Sequence, residues 1–481
     1  MIKRIAVNNI LRSLVCLSLF LAPSGCTSEN SPPVTEESPP KAKGVAAIET
    51  SSPPSALAEI VKTKAAIGAK VLLVDPLPLQ RVELPAEALA IWRDHAAQRP
   101  ALLLLSGNPM LVQVPSVLRN EVQSLIEMGS RAEIARRSSM QVADPLLMPV
   151  MTVDAALRAG WFSQVFWALP LRDSKQELSA EAFRKQLRDN GLLSEDELAR
   201  LNVEKHQLRG TVRGTPFTAA PLEFLPAVTG AVVVHIDQSY FQDLYKNEMA
   251  TPLLPIVYDT LSALRERRTP VVAATFAYGN LEERIALDVR FVGEMLAHFI
   301  EHPERAKEPA PPNWARQGDI YQLENLFEYD KIRDLALAME REEPESAWVK
   351  FSLYRAAAAK KSGEVALGYL AEAVKRDGVY ALEYLSLAYM AYEKRRPDAS
   401  LQMMKLAADA FPENPLIRLK IAQLSSELGE RKSAEHLVEQ LQQLPWSTVY
   451  YPDMPAYLQG FVKFLKEKPP SGASDPRVSP N

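Results

Sequence analysis

The chain has 481 residues, 47% of them apolar, with 55 basic against 59 acidic side chains and a formal net charge of −4. No long basic run stands out beyond the N-terminus, so nucleic-acid binding is not expected. The length suits two or three domains.

The first residues read as an export signal. Lys3, Arg4 and Arg12 precede an apolar run from Leu14 to Leu21, too short to span about 30 Å of hydrocarbon as a helix. Ser24 and Gly25 follow, and then Cys26. Charge, apolar stretch and small residues make the layout of a cleaved signal. With the cysteine in place it resembles the lipobox of bacterial lipoproteins, departing from it at Pro23. The resemblance implies cleavage before Cys26 and a lipid on that residue. Thr27 after the cysteine is similar to the outer-membrane sorting pattern of diderm bacteria, which implies the periplasmic face of the outer membrane. Residues 27–56 carry Pro32, Pro33, Pro39, Pro40, Pro53 and Pro54 among Ser, Glu and Thr. Such a segment buries too little apolar surface to order itself and acts as a spacer. The chain has 2 cysteines. With Cys16 lost in the signal and Cys26 lipidated, no disulfide, thiolate nucleophile or Cys-ligated zinc is left.

The body divides at residues 303–316, rich in proline and charge. Five segments before it read as strands: Lys70–Asp75, Ala101–Ser106, Gln164–Leu169, Ala231–Asp237 and Pro270–Thr275. Most are continuously apolar, as in parallel strands covered on both faces. Ala101–Ser106 lacks β-branching and also fits a helical turn. Helices are expected at Pro85–Gln98, Val117–Met128, Ala180–Asn190 and Pro255–Arg267. Val117, Leu118, Val122, Leu125 and Ile126 form the stripe of the second, with Gly129 at its C′ position. The alternation predicts a three-layer α/β domain with a parallel sheet over 57–302. In such sheets ligands bind outside the carboxyl ends of the strands. Of the 6 histidines, only His235 lies on an expected strand beside an acid, Asp237.

The order of these segments resembles the arginase-fold family that includes the peptide arginases. In that family one strand ends in I-D-x-H-x-D, a later strand bears Trp, and a third ends in I-D-x-D-Y-F before proline and a long helix. Here Leu102–Met110 (LLLLSGNPM) falls at the first motif and Phe166–Pro170 at the second. Ile236-Asp237-Gln238-Ser239-Tyr240-Phe241 falls at the third, with Pro252 and Pro255 behind it. The resemblance implies an arginase-like fold, and its chemistry uses two divalent metals, usually manganese, to make hydroxide from water. The departures oppose that chemistry. Ser106, Asn108 and Met110 stand where Asp, His and Asp would be, and Ser239 replaces a second Asp. Neutral side chains do not grip paired hard cations. The domain is therefore expected to be degenerate and non-catalytic, with no cofactor. His235 and Asp237 share a strand face. They form either the remnant of a metal site or a core histidine with a loop-capping acid. Trp161, Phe162, Phe166 and Trp167 either line a pocket or fill the core.

From about Ala347 the sequence repeats every 34 residues, the tetratricopeptide period. Leu353, Leu387 and Ile421 recur in one column, and Tyr354, Ala388 and Ala422 in the next. Ala366, Ser400 and Ala434 share another, followed by Leu370, Met404 and Val438, then Ala373, Ala407 and Leu441. The stretch 347–445 thus resembles tetratricopeptide repeats, which implies an all-α repeat domain over 317–466 that holds a protein or peptide partner. Residues 319–340 would supply an N-terminal helix pair or cap, and 446–465 the opposite end. Tyr384, Tyr389, Tyr392 and the basic Lys394–Arg396 are candidates for the partner surface, or else pack between helices and form a solvated loop. Residues 467–481 read as a disordered tail.

These features point to a membrane-anchored envelope lipoprotein that binds or scaffolds. The alternatives are a manganese-dependent hydrolase of guanidinium or amide groups in peptides, with Asp75, Asp144, His235 and Asp237 as ligands, and an envelope assembly factor whose α/β part is structural. No serine-hydrolase elbow, P-loop or dinucleotide glycine pattern is present.

Overall fold

The protein is described by a computed structural model covering residues 68–171, 179–228, 230–245, 251–279, 286–308 and 310–467. The expected signal, the tether, Cys26 and the tail from 468 onward lie outside the described residues. No helix among the described residues is long and apolar enough to cross a membrane.

A mixed sheet forms the centre of the N-terminal part. Its strands are β1 (Lys70–Val71), β2 (Leu79–Val82), β3 (Ala101–Leu105), β4 (Gln164–Leu169), β5 (Asn202–Glu204), β6 (Gln207–Val212), β7 (Thr215–Pro221), β8 (Val232–Asp237) and β9 (Pro270–Ala277). The spatial order is β1-β9-β8-β3-β4-β7-β6-β5, with β2 also on the β9 edge. Strands β2, β9, β8, β3, β4 and β7 pair in parallel, while β1, β5 and β6 join antiparallel. β3 is a strand despite its leucines because both of its faces are covered. Leu103 and Leu105 belong to the core beneath the Leu253–Glu266 and Phe291–Glu301 helices. Leu102 and Leu104 belong to the core beneath the Leu89–Arg93, Arg119–Met128 and Thr152–Arg158 helices. Burial on both sides replaces β-branching as the reason to extend.

The structure departs from the sequence expectations in five places. The first expected strand keeps two residues, because Asp75 folds back and its Oδ2 accepts the Val71 N–H at 2.7 Å. The edge is instead taken by β2, whose Leu79 and Val82 face inward. The sheet is not wholly parallel, since Arg213 and Gly214, both at positive φ, turn β6 into β7, as tight hairpins require. Residues 85–98 hold only the Leu89–Arg93 helix, flanked by single helical turns. Val117 is 72% exposed and leaves the expected stripe. Gly129 has φ −65° rather than a left-handed conformation. A methyl there would sit 2.5 Å from the Leu125 carbonyl oxygen, so close approach accounts for the glycine.

Beyond residue 311 the chain is helical. Hairpins form from Pro312–Asn325 with Tyr329–Glu342, Ala347–Ala359 with Gly363–Arg376, Leu382–Glu393 with Pro397–Ala410, and Pro415–Glu427 with Arg431–Gln442. Met454–Lys466 closes the series. The second helices begin at Tyr329, Gly363, Pro397 and Arg431, 34 residues apart each time. The sequence period is thus a structural one, and it starts one hairpin earlier than the columns above. Ile332, Ala336 and Met339 fill the same buried positions as Ala366, Leu370 and Ala373. Even the hairpin turns keep the period, with Phe327, Lys361, Arg395 and Gly429 all at positive φ. Only the last is the residue for which that conformation is free of steric cost.

The helical array is continuous with the sheet domain. One apolar cluster runs from Leu105, Ile236 and Phe276 through Tyr240 and Phe291 to Trp348, Leu370 and Met404. Residues 303–316, expected as a linker, hold a helical turn and the start of the Pro312–Asn325 helix. The array touches the sheet domain again near its far end. There Ser447 N–H donates to the Ala143 carbonyl at 2.8 Å, and Tyr450 OH to that of Leu146 at 3.2 Å. Leu370→Ala is expected to cost about 2–5 kcal/mol by leaving a cavity. Because the core is shared, urea unfolding followed by circular dichroism should show both parts lost in one transition at a lower midpoint.

Candidate functional site

The parallel strands present their carboxyl ends on one side, and the two motif loops meet there. After β3 the loop closes on itself. Asn108 N–H donates to Ser106 Oγ at 3.2 Å, and Met110 N–H donates to Asn108 Oδ1 at 2.8 Å. Met110 turns inward, fully buried, with φ +54°. After β8, Asp237 Oδ1 accepts the Ser239 N–H at 2.7 Å and so caps the Gln238–Tyr245 helix, the role for which carboxylates are favoured at helix starts. Gly107 N–H donates to Ser239 Oγ at 3.0 Å and ties the two loops together. Trp167 on β4 donates to the Ser106 carbonyl at 2.8 Å, joining the third motif. Gly107 leaves room for the Asp243 side chain, since a methyl there would lie 2.3 Å from its carboxylate oxygen and would displace it.

His235 is a core histidine. It is fully buried, edge-on to Trp92 with ring centroids 5.3 Å apart. Thr275 Oγ1 donates to the Val234 carbonyl at 3.2 Å and lies 2.8 Å from His235 Nδ1. That arrangement leaves the Nδ1–H as the donor to Thr275. Burial pushes the imidazole down to about 3, so it stays neutral. The Trp92 indole donates to the same hydroxyl at 3.3 Å. Trp92 and Thr275 are parts that sequence reasoning missed, because only the fold brings them to His235.

Asp237 is also fully buried, and its Oδ2 has no hydrogen-bond partner among the described residues. Burial raises its carboxyl to about 7, the Ser239 hydrogen bonds oppose this, and the charge of Asp243 adds to it. The other acids considered as ligands lie elsewhere. Asp144 is held by both guanidinium nitrogens of Arg136 at 2.6 and 3.0 Å, and Asp75 caps Val71. Among the described residues no group of three or more His, Cys, Asp or Glu is placed to hold a metal ion. Trp161, Phe162, Phe166 and Trp167 are each 5% exposed or less and fill the core.

The tyrosines proposed for a partner surface divide. Tyr384 is 4% exposed and packed in the core, which removes it from that surface. Tyr389 is partly buried, its hydroxyl pushed up to about 12 by burial. Tyr392 is 38% exposed, with the Lys420 ammonium 3.9 Å over its ring, and Lys394–Arg396 form an exposed turn.

A second buried polar group was overlooked. Asp154, fully buried, accepts from Arg213 Nε at 2.5 Å, Arg158 Nε at 2.8 Å and Val114 N–H at 3.0 Å. Arg213 further donates to the Leu111 and Leu192 carbonyls. The Asp154–Arg158 spacing was visible in the sequence, but Arg213 arrives only through the β6–β7 turn. Every oxygen here is occupied, so the group serves the fold.

Comparison with protein-family models and with curated proteins gives no match for this chain.

Asp237 holds its proton more tightly folded than at its ordinary value of 3.8, so it favours folding at low pH, and that contribution is lost as pH rises to about 7. Asp237→Asn, which keeps the cap, is expected to raise the melting temperature most at pH 8, less at pH 5, and hardly at all near pH 3, below the ordinary carboxyl value. Thermal melts at the three pH values check this.

Proposed function

We propose that this protein is a lipid-tethered binding protein of the bacterial envelope. Lipid on Cys26 anchors it to the outer membrane facing the periplasm, and the proline-rich segment spaces the body from the bilayer. The sheet domain is an arginase-like fold that has lost catalysis. The helical array is tetratricopeptide-like and receives a protein or peptide partner.

The observation that carries this reading is the use made of the motif loops. Ser106 and Asn108 spend their oxygens on backbone N–H groups of their own loop and Ser239 spends its hydroxyl on an N–H of the facing loop, and Met110 points into the core. A two-metal hydroxide generator needs several anionic oxygens converging on one space. Here a cap and a histidine locked to Thr275 stand in their place. The repeat reading is supported by the constant 34-residue spacing of the helices.

Arginyl peptides incubated with the purified protein and added manganese are expected to release no urea. Urea release that Asp237→Ala abolishes would establish the hydrolase instead. For the anchor, Cys26→Ser should move the chain from the membrane to the soluble fraction on cell fractionation, and unchanged membrane association would refute the tether.

A further inference from the structure

The junction between the sheet domain and the helical array carries more acid than base. The Leu287–Val289 turn brings Asp288 against the array, where the Trp348 indole donates to its carbonyl at 2.7 Å. The Asp288 carboxylate lies 3.1 Å from Arg355 Nη1, and Glu324 lies 3.1 Å from Arg355 Nε. Glu383 accepts from Tyr354 OH at 2.6 Å on the other side of the same arginine. Thus one guanidinium on the Ala347–Ala359 helix faces three carboxylates on three other elements. Glu324 is more enclosed than either Asp288 or Arg355, its side chain 8% exposed. Among the described residues the phenols of Tyr321, Tyr329, Tyr354 and Tyr380 also face this cluster. Arg290, on the same segment as Asp288, is engaged by both oxygens of Glu83 at 2.8 and 2.9 Å and by Asp377 at 3.9 Å.

We propose that this junction is a proton-operated latch: with Glu324 protonated, residues 286–291 are held on the array, and with Glu324 ionised, the cost of enclosing its charge, added to by Asp288, loosens them. A single arginine cannot neutralise three carboxylates, two of them largely enclosed, so the cluster carries excess negative charge among the described residues. The cost falls on Glu324. Burial raises its carboxyl to about 7, which Arg355 opposes and Asp288 reinforces. Glu383 is raised too, first by burial. The sign follows from linkage. Glu324 binds its proton more tightly folded than at its ordinary value of 4.5, so its support for the junction is complete at acid pH and is lost as pH rises through about 7. Release would uncover an aromatic face of the array, Trp348 with Phe351 and Tyr380, now packed with Phe291 in the shared core. The latch does not depend on what, if anything, the array binds.

Hydrogen exchange of the whole chain, read by mass spectrometry at pH 5.5 and pH 8 and scaled to intrinsic rates, tests this directly. Peptides covering 286–291 and 347–359 should lose protection by about tenfold or more at pH 8, since each proton released shifts an opening constant by up to about tenfold per pH unit. Glu324→Gln should keep at pH 8 the protection the native chain has at pH 5.5, and Asp237→Asn should leave the junction's loss intact. Asp288→Asn, which removes the like charge, should shrink the loss and carries the test if Glu324→Gln does not fold. Equal protection of the native chain at the two pH values overturns the latch. So does a native-sized loss in Glu324→Gln or Asp288→Asn.

Discussion

The hydrogen bond from Gly107 N–H to Ser239 Oγ decides how the carboxyl side of the sheet is used. It draws the ends of β3 and β8 together, and it does so with a neutral hydroxyl. A carboxylate at that position would also accept the amide, but it would bring a further charge beside Asp237, which is buried with one oxygen unpartnered among the described residues. Two ionised carboxylates there would need a cation to offset their desolvation. With serine, no such ion is called for, and the loops close on their own donors and acceptors. The buried acid at the end of β8, Asp237, holds its proton to near neutrality and caps a helix.

The same economy fails at the junction with the array. There the charges are kept, three carboxylates to one arginine, and the imbalance falls on the segment joining the two parts. Apolar packing through Phe291, Trp348 and Tyr380 supplies the cohesion, and the ionic cluster sets its dependence on protons. The two buried acids of unusual affinity, Asp237 and Glu324, thus have different consequences. One lies wholly within the sheet domain, whereas the other lies between parts that could separate.

Much of this was legible in the sequence. β4 falls where its continuous apolar run placed it, and β3, β8 and β9 differ from expectation by one or two residues at their ends. The repeat columns were legible because burial in stacked hairpins is periodic, and all of their members are buried except Leu387, which is partly so. The first hairpin was read only as a possible helix pair or cap, although Ile332, Ala336 and Met339 obey the same spacing, because proline and charge just before it resemble a linker. The β5–β7 meander is absent from the sequence expectations because its turn, Arg213-Gly214, lacks the Asn-Gly or Asp-Gly signature of a tight hairpin. At the site, the neutral side chains of Ser106, Asn108 and Ser239 could be read directly. The partners that fix His235 could not, since Trp92 and Thr275 are 143 and 40 residues away and meet it only across the sheet.

The central claim is that these loops have exchanged metal-holding anions for self-satisfied neutral groups. Elemental analysis of the purified protein, after dialysis against excess manganese and then metal-free buffer, tests it most directly. Well under one manganese, nickel or zinc ion per chain is the predicted result. Two ions per chain, both lost in Asp237→Ala, would contradict it.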